Sequence, residues 1–193
     1  MKKYQIIYAD PPWKYNSKEL YGDKINGHKN GTRKRFANLE RMYNTMTIED
    51  IKALPIKKIS DDNCCCFMWV TDSHLKQGIE ALESWGFKYK TIAFVWLKKY
   101  STGTNVLNFA PWTLKSTEIC LLGVKGKMSK YKTANNVQQF VVAERKKHSQ
   151  KPEEVRKRIE VLFGGCKKIE LFAREKIEGW DCWGNEVESD IEF

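Results

Sequence analysis

The stretch "YQIIYADPPW", residues 4–13, is a short apolar run that ends in an acid, two prolines and a tryptophan. A short apolar run bounded by turn residues is typical of a buried strand. Asp-Pro and Pro-Pro pairs are common in ordinary turns, so these letters alone predict only a strand that ends at Asp10. The remainder of the chain decides whether the turn also carries chemistry.

Strand-like and helix-like segments alternate along the chain after this first strand. Continuous apolar runs predict further strands at residues 64–71, 91–97, 118–124, 139–143 and 167–173. Apolar residues at helical spacing, together with capping signals, predict helices at residues 47–54, 74–85 and 151–163. This alternation indicates an α/β domain with a mostly parallel sheet.

The length of 193 residues predicts a single domain that covers residues 1–193. No apolar run approaches the roughly 20 residues that a membrane helix needs, and the N-terminal stretch reaches Asp10 too soon for a signal peptide. The 6 cysteines lie mostly in apolar strands without a CxxC pair, and the 3 histidines are scattered. We therefore expect a cytoplasmic protein with reduced cysteines and no metal site.

The formal net charge of the chain is +10, and the positive residues gather in segments 28–35, 125–132 and 144–151. A basic surface attracts polyanions, so nucleic acid is the partner class that this charge favours. A merely solvated basic surface is the alternative. Much of the charge falls in long irregular segments, which are usually functional or mobile when they occur in a compact domain.

Asp10 stands at the carboxyl end of the first predicted strand, which is where ligands gather in open α/β sheets. An acid followed by Pro-Pro-aromatic suits the alkylation of an exocyclic amino group such as that of adenine, whose lone pair is delocalised into the ring. The Asp10 carboxylate and a backbone carbonyl would both accept hydrogen bonds from the amino group and so draw its nitrogen toward tetrahedral geometry. The prolines offer acceptors without N–H donors, and the adjacent aromatic ring can stack on a base.

The "ADPPW" of residues 9–13 resembles the DPPW motif of the MT-A 70-type adenine-N(6) methyltransferases. That family includes bacterial and phage DNA adenine methyltransferases and the catalytic subunit of the eukaryotic mRNA adenosine methyltransferase. Further blocks resemble the family in family order, at residues 43–56, 67–71, 85–99, 118–126, 148–155, 168–174 and 183–187.

The resemblance implies a Rossmann-like fold of the S-adenosylmethionine-dependent methyltransferases, with a mostly parallel central sheet and helices on both faces. It also implies a permuted motif order, because the DPPW strand comes first and the cofactor segment last. In the catalytic loop it assigns Asp10, Pro11, Pro12 and Trp13, with Asp10 and the Pro11 carbonyl holding the target amino group. The Asp10 carboxylate would also stabilise the positive charge that develops on the nitrogen.

S-adenosylmethionine is the cofactor that the resemblance implies, with Lys151 near its methionine carboxylate and Arg174 and Asn185 around its ribose and tail. Glu186 stands where some family members carry Gln, and either side chain can accept a bond from a ribose hydroxyl. The family's His-Asn pair after the arginine does not occur in "REKIEGW", which leaves ribose contacts by residues 175–179 open.

Glu170 lies in the middle of a predicted strand, where a carboxylate is costly unless it is paired. We predict a place in the cofactor pocket for Glu170, with a structural salt bridge as the alternative. The aromatic residues of the strands and helix faces are predicted to lie in the core: Trp69, Trp85, Trp96 and Phe94.

Loop residues that are aromatic or basic are the candidates for contacts with the nucleic acid. The residues predicted to contact the substrate are Tyr15, Arg33, Lys34, Arg35, Trp112 and Lys130. His28 and His74 are predicted to be ordinary surface residues.

Together these observations predict transfer of a methyl group from S-adenosylmethionine to the 6-amino group of adenine in nucleic acid, with DNA favoured over RNA. A catalytically silent, nucleic-acid-binding partner subunit is one alternative, and methylation of cytosine or of a protein side chain is another. The intact acid in the motif favours catalysis, and an aspartate at this position favours adenine. The strandedness of the substrate, the recognition sequence and the oligomeric state, which includes a possible homodimer, are left open.

Overall fold

The computed structural model of the chain describes residues 2–14, 45–110, 112–146 and 150–193. Within these ranges the strands are β1 Tyr4–Ala9, β2 Ser60–Val70, β3 Lys88–Lys99, β4 Thr117–Lys125, β5 Phe140–Glu144, β6 Lys168–Leu171 and β7 Asp181–Trp183. The α-helices are α1 Ile48–Ala53, α2 Leu75–Ser84 and α3 Glu153–Phe163. Short 3-10 helices span Ile56–Lys58, Asp72–His74 and Met128–Tyr131.

Local sequence signals explain where two of these helices begin. At α1 the Thr47 hydroxyl accepts a bond from the Asp50 N–H at 3.1 Å, and the Asp50 carboxylate accepts one from the Thr47 N–H at 3.3 Å. This reciprocal pair forms a capping box in which Asp50 takes the place of the more usual Glu or Gln, a weaker sequence signal. Helix α3 begins directly after Pro152, which is its N-cap and has an extended ψ of 130°.

The described strands form one sheet of order β5-β3-β4-β2-β1-β6-β7. The pairs β1–β2, β1–β6, β3–β5 and β6–β7 are parallel, while β4 is antiparallel to both of its neighbours, β2 and β3. The predicted mostly parallel sheet is therefore confirmed. All strands except β4 end at one edge, which we call the carboxyl edge, and β4 begins there, because it runs in the opposite direction.

Helices cover both faces of the sheet, as the resemblance implies. Side chains of α1 and α2 pack with one set of strand residues, and side chains of α3 pack with the other set. Strand β2 contributes to both sides: Cys64 and Cys66 point to the first face and Cys65 to the second. This explains its unbroken apolar sequence, because alternate residues of a central strand enter different layers of the core.

The residues predicted to be core are indeed buried: Trp69, Trp85, Trp96 and Phe94. All six cysteines are buried free thiols. Burial raises the pKa of Cys66 well above its ordinary value, so this thiol behaves as a small apolar group. Across the described ranges, no helix combines the length and the apolar character that a membrane crossing requires.

Candidate active site

Four charged side chains from different elements meet at the carboxyl edge. Asp10 follows β1, Lys98 lies near the end of β3, Glu118 lies near the start of β4, and Lys151 precedes α3. The Lys151 Nζ atom lies 2.6 Å from Asp10 Oδ2 and 3.3 Å from Glu118 Oε2. The Lys98 Nζ atom pairs with Glu118 Oε1 and completes an alternating row of charges. We call this row the edge network.

Lys151 is the centre of the edge network. Its ammonium contacts two carboxylates and lies 5.7 Å from the centroid of the Trp69 ring, where a cation is favoured by the ring's electron density. Burial would by itself lower the pKa of Lys151, but Asp10 and Glu118 together raise the pKa above its ordinary value. Lys151 therefore stays an ammonium at neutral pH and cannot act as a base.

The two carboxylates of the edge network differ in proton affinity. Burial raises the pKa of Asp10, the charge of Glu118 raises it further, and the Lys151 ammonium only partly offsets this. Burial also acts to raise the pKa of Glu118, but the ammonium groups of Lys151 and Lys98 hold that pKa below its ordinary value. Asp10 is thus the stronger acceptor of the two.

Backbone hydrogen bonds define the shape of residues 10–14, which we call the catalytic loop. The Pro11 carbonyl accepts a bond from the Trp13 N–H at 2.9 Å, and the Pro12 carbonyl accepts one from the Met46 N–H at 2.8 Å. The Lys14 N–H in turn donates to the Met46 carbonyl at 3.1 Å. A carbonyl oxygen has two lone pairs, so the Pro11 carbonyl can accept a second bond from an amino group.

The Trp13 ring packs inside the molecule and is only 7% exposed. Its Nε1 donates to the Trp69 carbonyl at 3.1 Å, and the ring stacks on the His74 ring with a centroid distance of 5.5 Å. The prediction that His74 is a surface residue is wrong, because it is only 6% exposed and packs against the catalytic loop. The periodicity of the following helix could not reveal this, since His74 precedes it in a 3-10 helix.

Glu170 is part of a second ion network, in which Glu170 and Arg156 are largely buried and Glu175 is half exposed. Its Oε2 lies 2.9 Å from Arg156 Nη1, and Arg156 Nη2 lies 3.1 Å from Glu175 Oε1. We call these three residues the helix network, because Arg156 belongs to α3. The structural salt bridge that was the alternative for Glu170 is therefore present, and a role for Glu170 in cofactor binding stays a prediction.

The other residues predicted to bind the cofactor follow the ends of β6 and β7, at the same edge as Asp10. Arg174 Nε lies 3.6 Å from Glu186 Oε1, and Asn185 is exposed beside Glu186. Phe172, directly after β6, has a φ of 62°, which is costly for a residue with a side chain and often accompanies a functional site. The segments that follow β6 and β7 approach closely, as the backbone shows: a Cβ on Gly184 would lie 2.2 Å from the Ala173 carbonyl oxygen.

The predicted substrate residues fall into three groups. Tyr15, Arg33, Lys34 and Arg35 lie outside the described residues. Trp112 is 94% exposed and lies in the connection between β3 and β4. This connection begins and ends at the carboxyl edge.

Lys130 lies at the opposite edge of the sheet, because its 3-10 helix follows the end of the reversed strand β4. The neighbouring Lys127 N–H confirms this place by donating to Asn63 Oδ1, near the start of β2, at 2.7 Å. The structure therefore does not bring Lys130 to the carboxyl edge, and its contact with substrate stays a prediction.

Sequence reasoning missed Lys98, Glu118 and His74. The available signal was weak: Lys98 follows an apolar run and Glu118 opens one, and charged residues are common at strand ends. Only the reversed direction of β4 shows that both lie at the carboxyl edge. In the described part of the chain, no His, Cys, Asp and Glu side chains cluster in a way that could hold a metal ion.

Comparison with known proteins identifies the family of the chain. A sequence model of the MT-A70 family matches residues 4–186. The chain is 40% identical over 189 residues to the Type II methyltransferase M.MunI of Mycoplasma sp, an alignment that covers 96% of this chain and 78% of that protein.

More distant similarity extends to eukaryotes. Identity is 29% over 195 residues to the N(6)-adenosine-methyltransferase catalytic subunit METTL3 of Homo sapiens, which covers 96% of this chain and 28% of the human protein. It is 28% over 191 residues to the N(6)-adenosine-methyltransferase MT-A70-like of Arabidopsis thaliana, covering 94% of this chain and 23% of that protein. The chain thus spans about a quarter of the length of these eukaryotic relatives. With its family match over nearly all of its length, the chain belongs to the MT-A70 family of methyltransferases.

Proposed function

We propose that this protein transfers a methyl group from S-adenosylmethionine to the 6-amino group of adenine in nucleic acid, as a single methyltransferase domain. The observation that carries the proposal is the end of β1, where two consecutive residues, Asp10 and Pro11, carry a carboxylate and a carbonyl acceptor in a loop held by backbone hydrogen bonds. Membership of the MT-A70 family supports the reaction type.

The amino group of adenine is a weak nucleophile because its lone pair is delocalised into the ring, and Asp10 and Pro11 counteract this delocalisation. Two acceptors draw its two N–H bonds out of the plane of the ring and localise the nitrogen lone pair. The Asp10 carboxylate then stabilises the positive charge that grows on the nitrogen as the N–C bond forms. The raised pKa of Asp10 also suits it to receive the proton that the methylated nitrogen must lose.

S-adenosylmethionine, when bound, supplies an electrophilic methyl group on a sulfonium sulfur that leaves as a thioether. The donor set at the carboxyl edge fits this cofactor, since Lys151 and Arg174 are cations suited to a carboxylate. Asn185 and Glu186 are polar and exposed, as contacts to ribose hydroxyls require. Lys151, which we propose contacts the cofactor, lies 2.6 Å from Asp10 and therefore orients the Asp10 carboxylate.

We favour DNA over RNA as the substrate, because the relative of 40% identity is a Type II methyltransferase and the N(6)-adenosine-methyltransferases are only 28–29% identical. Arg33, Lys34 and Arg35, together with Tyr15 and the exposed ring of Trp112, are the proposed nucleic-acid contacts. A target inside a duplex would have to be flipped out of the stack before the loop could reach it. Assembly as a homodimer or with a partner subunit is compatible with this proposal.

The test is to incubate the protein with methyl-labelled S-adenosylmethionine and matched DNA or RNA oligonucleotides, followed by digestion to nucleosides. We expect label in N(6)-methyldeoxyadenosine, with Asp10→Ala as the unlabelled control. Label in a cytosine nucleoside or in protein would contradict the adenine assignment. Nucleic-acid binding without any label in the wild-type reaction would instead favour the catalytically silent partner subunit.

A further inference from the structure

We propose that His74 is a positioning residue that holds the catalytic loop, and through Trp13 the Pro11 carbonyl, in its reactive shape. The inference rests on the proposed function for the role of that carbonyl. His74 is the last residue of the 3-10 helix that follows β2, so it connects the end of the central strand β2 with the loop that follows β1.

Both ring nitrogens of His74 lie near oxygen atoms of this region. Nδ1 lies 2.9 Å from the Thr71 hydroxyl, and Nε2 lies 3.3 Å from the Lys14 carbonyl oxygen. A carbonyl oxygen only accepts, so Nε2 carries the proton and donates, while Nδ1 accepts from the Thr71 hydroxyl. Burial lowers the pKa of His74 despite the opposing effects of the Lys14 carbonyl and the Asp72 carboxylate, which agrees with a neutral ring.

The His74 ring also supports Trp13 from one side. The two rings lie at 22° to each other with centroids 5.5 Å apart, and Trp13 Nε1 is tied to the Trp69 carbonyl. On the backbone, Met46 bonds both to the Pro12 carbonyl and to the Lys14 N–H. The catalytic loop is therefore held from two sides, by Met46 and by the residues that end or follow β2.

His74 influences the Pro11 carbonyl through one short hydrogen-bonded turn. The N–H of Trp13 donates to the Pro11 carbonyl at 2.9 Å, so the position of Trp13 sets the direction of that carbonyl. A displacement of about 1 Å in a reacting group can lower a rate by about 100-fold. Removal of the His74 ring would thus lower catalysis without removing any group that touches the substrate.

The test compares His74→Ala, His74→Phe and His74→Gln with the wild type. Phe retains a ring that can stack on Trp13, and Gln retains an amide that can donate to the Lys14 carbonyl. Trp85→Phe is the matched control: it removes a buried bond of 2.8 Å to the Ile51 carbonyl, and Trp85 directly follows α2, whose start lies at the carboxyl edge. For each variant we would measure hydrogen exchange at the amides of Trp13 and Lys14, cofactor affinity, and kcat and KM at saturating cofactor.

For His74→Ala we expect faster exchange at both amides and a kcat about 100-fold lower, with KM and cofactor affinity within a few-fold of wild type. His74→Phe and His74→Gln should each recover part of this activity, and Trp85→Phe should lower Tm without changing exchange or kcat. Unchanged exchange in His74→Ala would overturn the proposal, and so would faster exchange with a normal kcat. If the wild type transfers no methyl group, the proposed function fails, while the exchange rates still decide whether His74 holds the loop.

Discussion

The edge network and the helix network are built from the same kinds of contact but differ in where they end. In the edge network the row of charges ends at Asp10, whose side chain keeps 24% of its surface exposed beside the Pro11 carbonyl. In the helix network Arg156, a buried residue of α3, pairs with Glu170 and also with Glu175, whose side chain keeps 50% of its surface exposed. Both networks therefore end at an accessible carboxylate, and what distinguishes Asp10 is its place directly before the hydrogen-bonded turn that contains the Pro11 carbonyl.

The largest effect is expected at the accessible end of the edge network. Asp10→Ala should abolish methyl transfer, and Asp10→Asn, which keeps one acceptor but removes the charge, should cost about 100-fold or more. Cofactor affinity measured by calorimetry should stay within a few-fold, because Lys151 keeps Glu118 as a partner. Near-normal turnover by both variants would show that Asp10 takes no part in methyl transfer, and the edge network would then not differ from the helix network in function.

A second comparison replaces one carboxylate in each network by its amide. Glu118→Gln and Glu170→Gln should both lower the free energy of unfolding by about 1–3 kcal/mol, because each leaves a buried cation with a weaker partner. Only Glu118→Gln should also lower kcat, by about tenfold or more, since Glu118 holds the lysine that contacts Asp10.

Urea unfolding and steady-state kinetics on the same preparations provide these measurements. The Glu170→Gln variant is the internal control for reduced stability. If it slows transfer as much as Glu118→Gln does, the helix network takes part in the reaction, and the predicted cofactor role of Glu170 gains support.

The dependence of the rate on pH should separate Asp10 from an ordinary carboxylate. Its pKa is raised above 3.8 by burial and by Glu118, so kcat/KM should fall with decreasing pH at a pH above that value. In Glu118→Gln one cause of the raised pKa is removed, so the fall should move to lower pH. A shift in the opposite direction would show that the titrating group is not Asp10. Circular dichroism across the same pH range checks that the protein stays folded.

The smallest effects are expected from the basic residues that are predicted to contact the nucleic acid. Joint replacement of Arg33, Lys34 and Arg35 by Ala should flatten the dependence of log affinity on log salt by roughly 0.7 to 0.9 for each phosphate that these residues neutralise. Lys130→Ala, at the edge of the sheet opposite to Asp10, is a single-residue comparison and should change the slope by no more than the value for about one phosphate. A larger change at Lys130 would extend the binding surface away from the carboxyl edge, and an unchanged slope in the triple variant would favour a merely solvated basic surface.

Local sequence determined much of this protein. The apolar run before Asp10, the capping box at Thr47 and the unbroken apolar sequence of β2 each depend on neighbouring residues, so strands, helices and the α/β class could be predicted. The motif around Asp10 and its companion blocks were sufficient to predict the family, since they preserve order along the chain. The permuted motif order stays a prediction.

The tertiary structure alone decided which charges meet. An apolar strand has the same sequence pattern in either direction, because both of its faces are buried in either case. Pairing with distant strands reverses β4, and this one reversal brings Glu118 to Lys98 and Lys151 and carries Lys130 to the opposite edge. The burial of His74 and the pairing of Glu170 with Arg156 likewise depend on residues far away in the sequence, which no local pattern specifies.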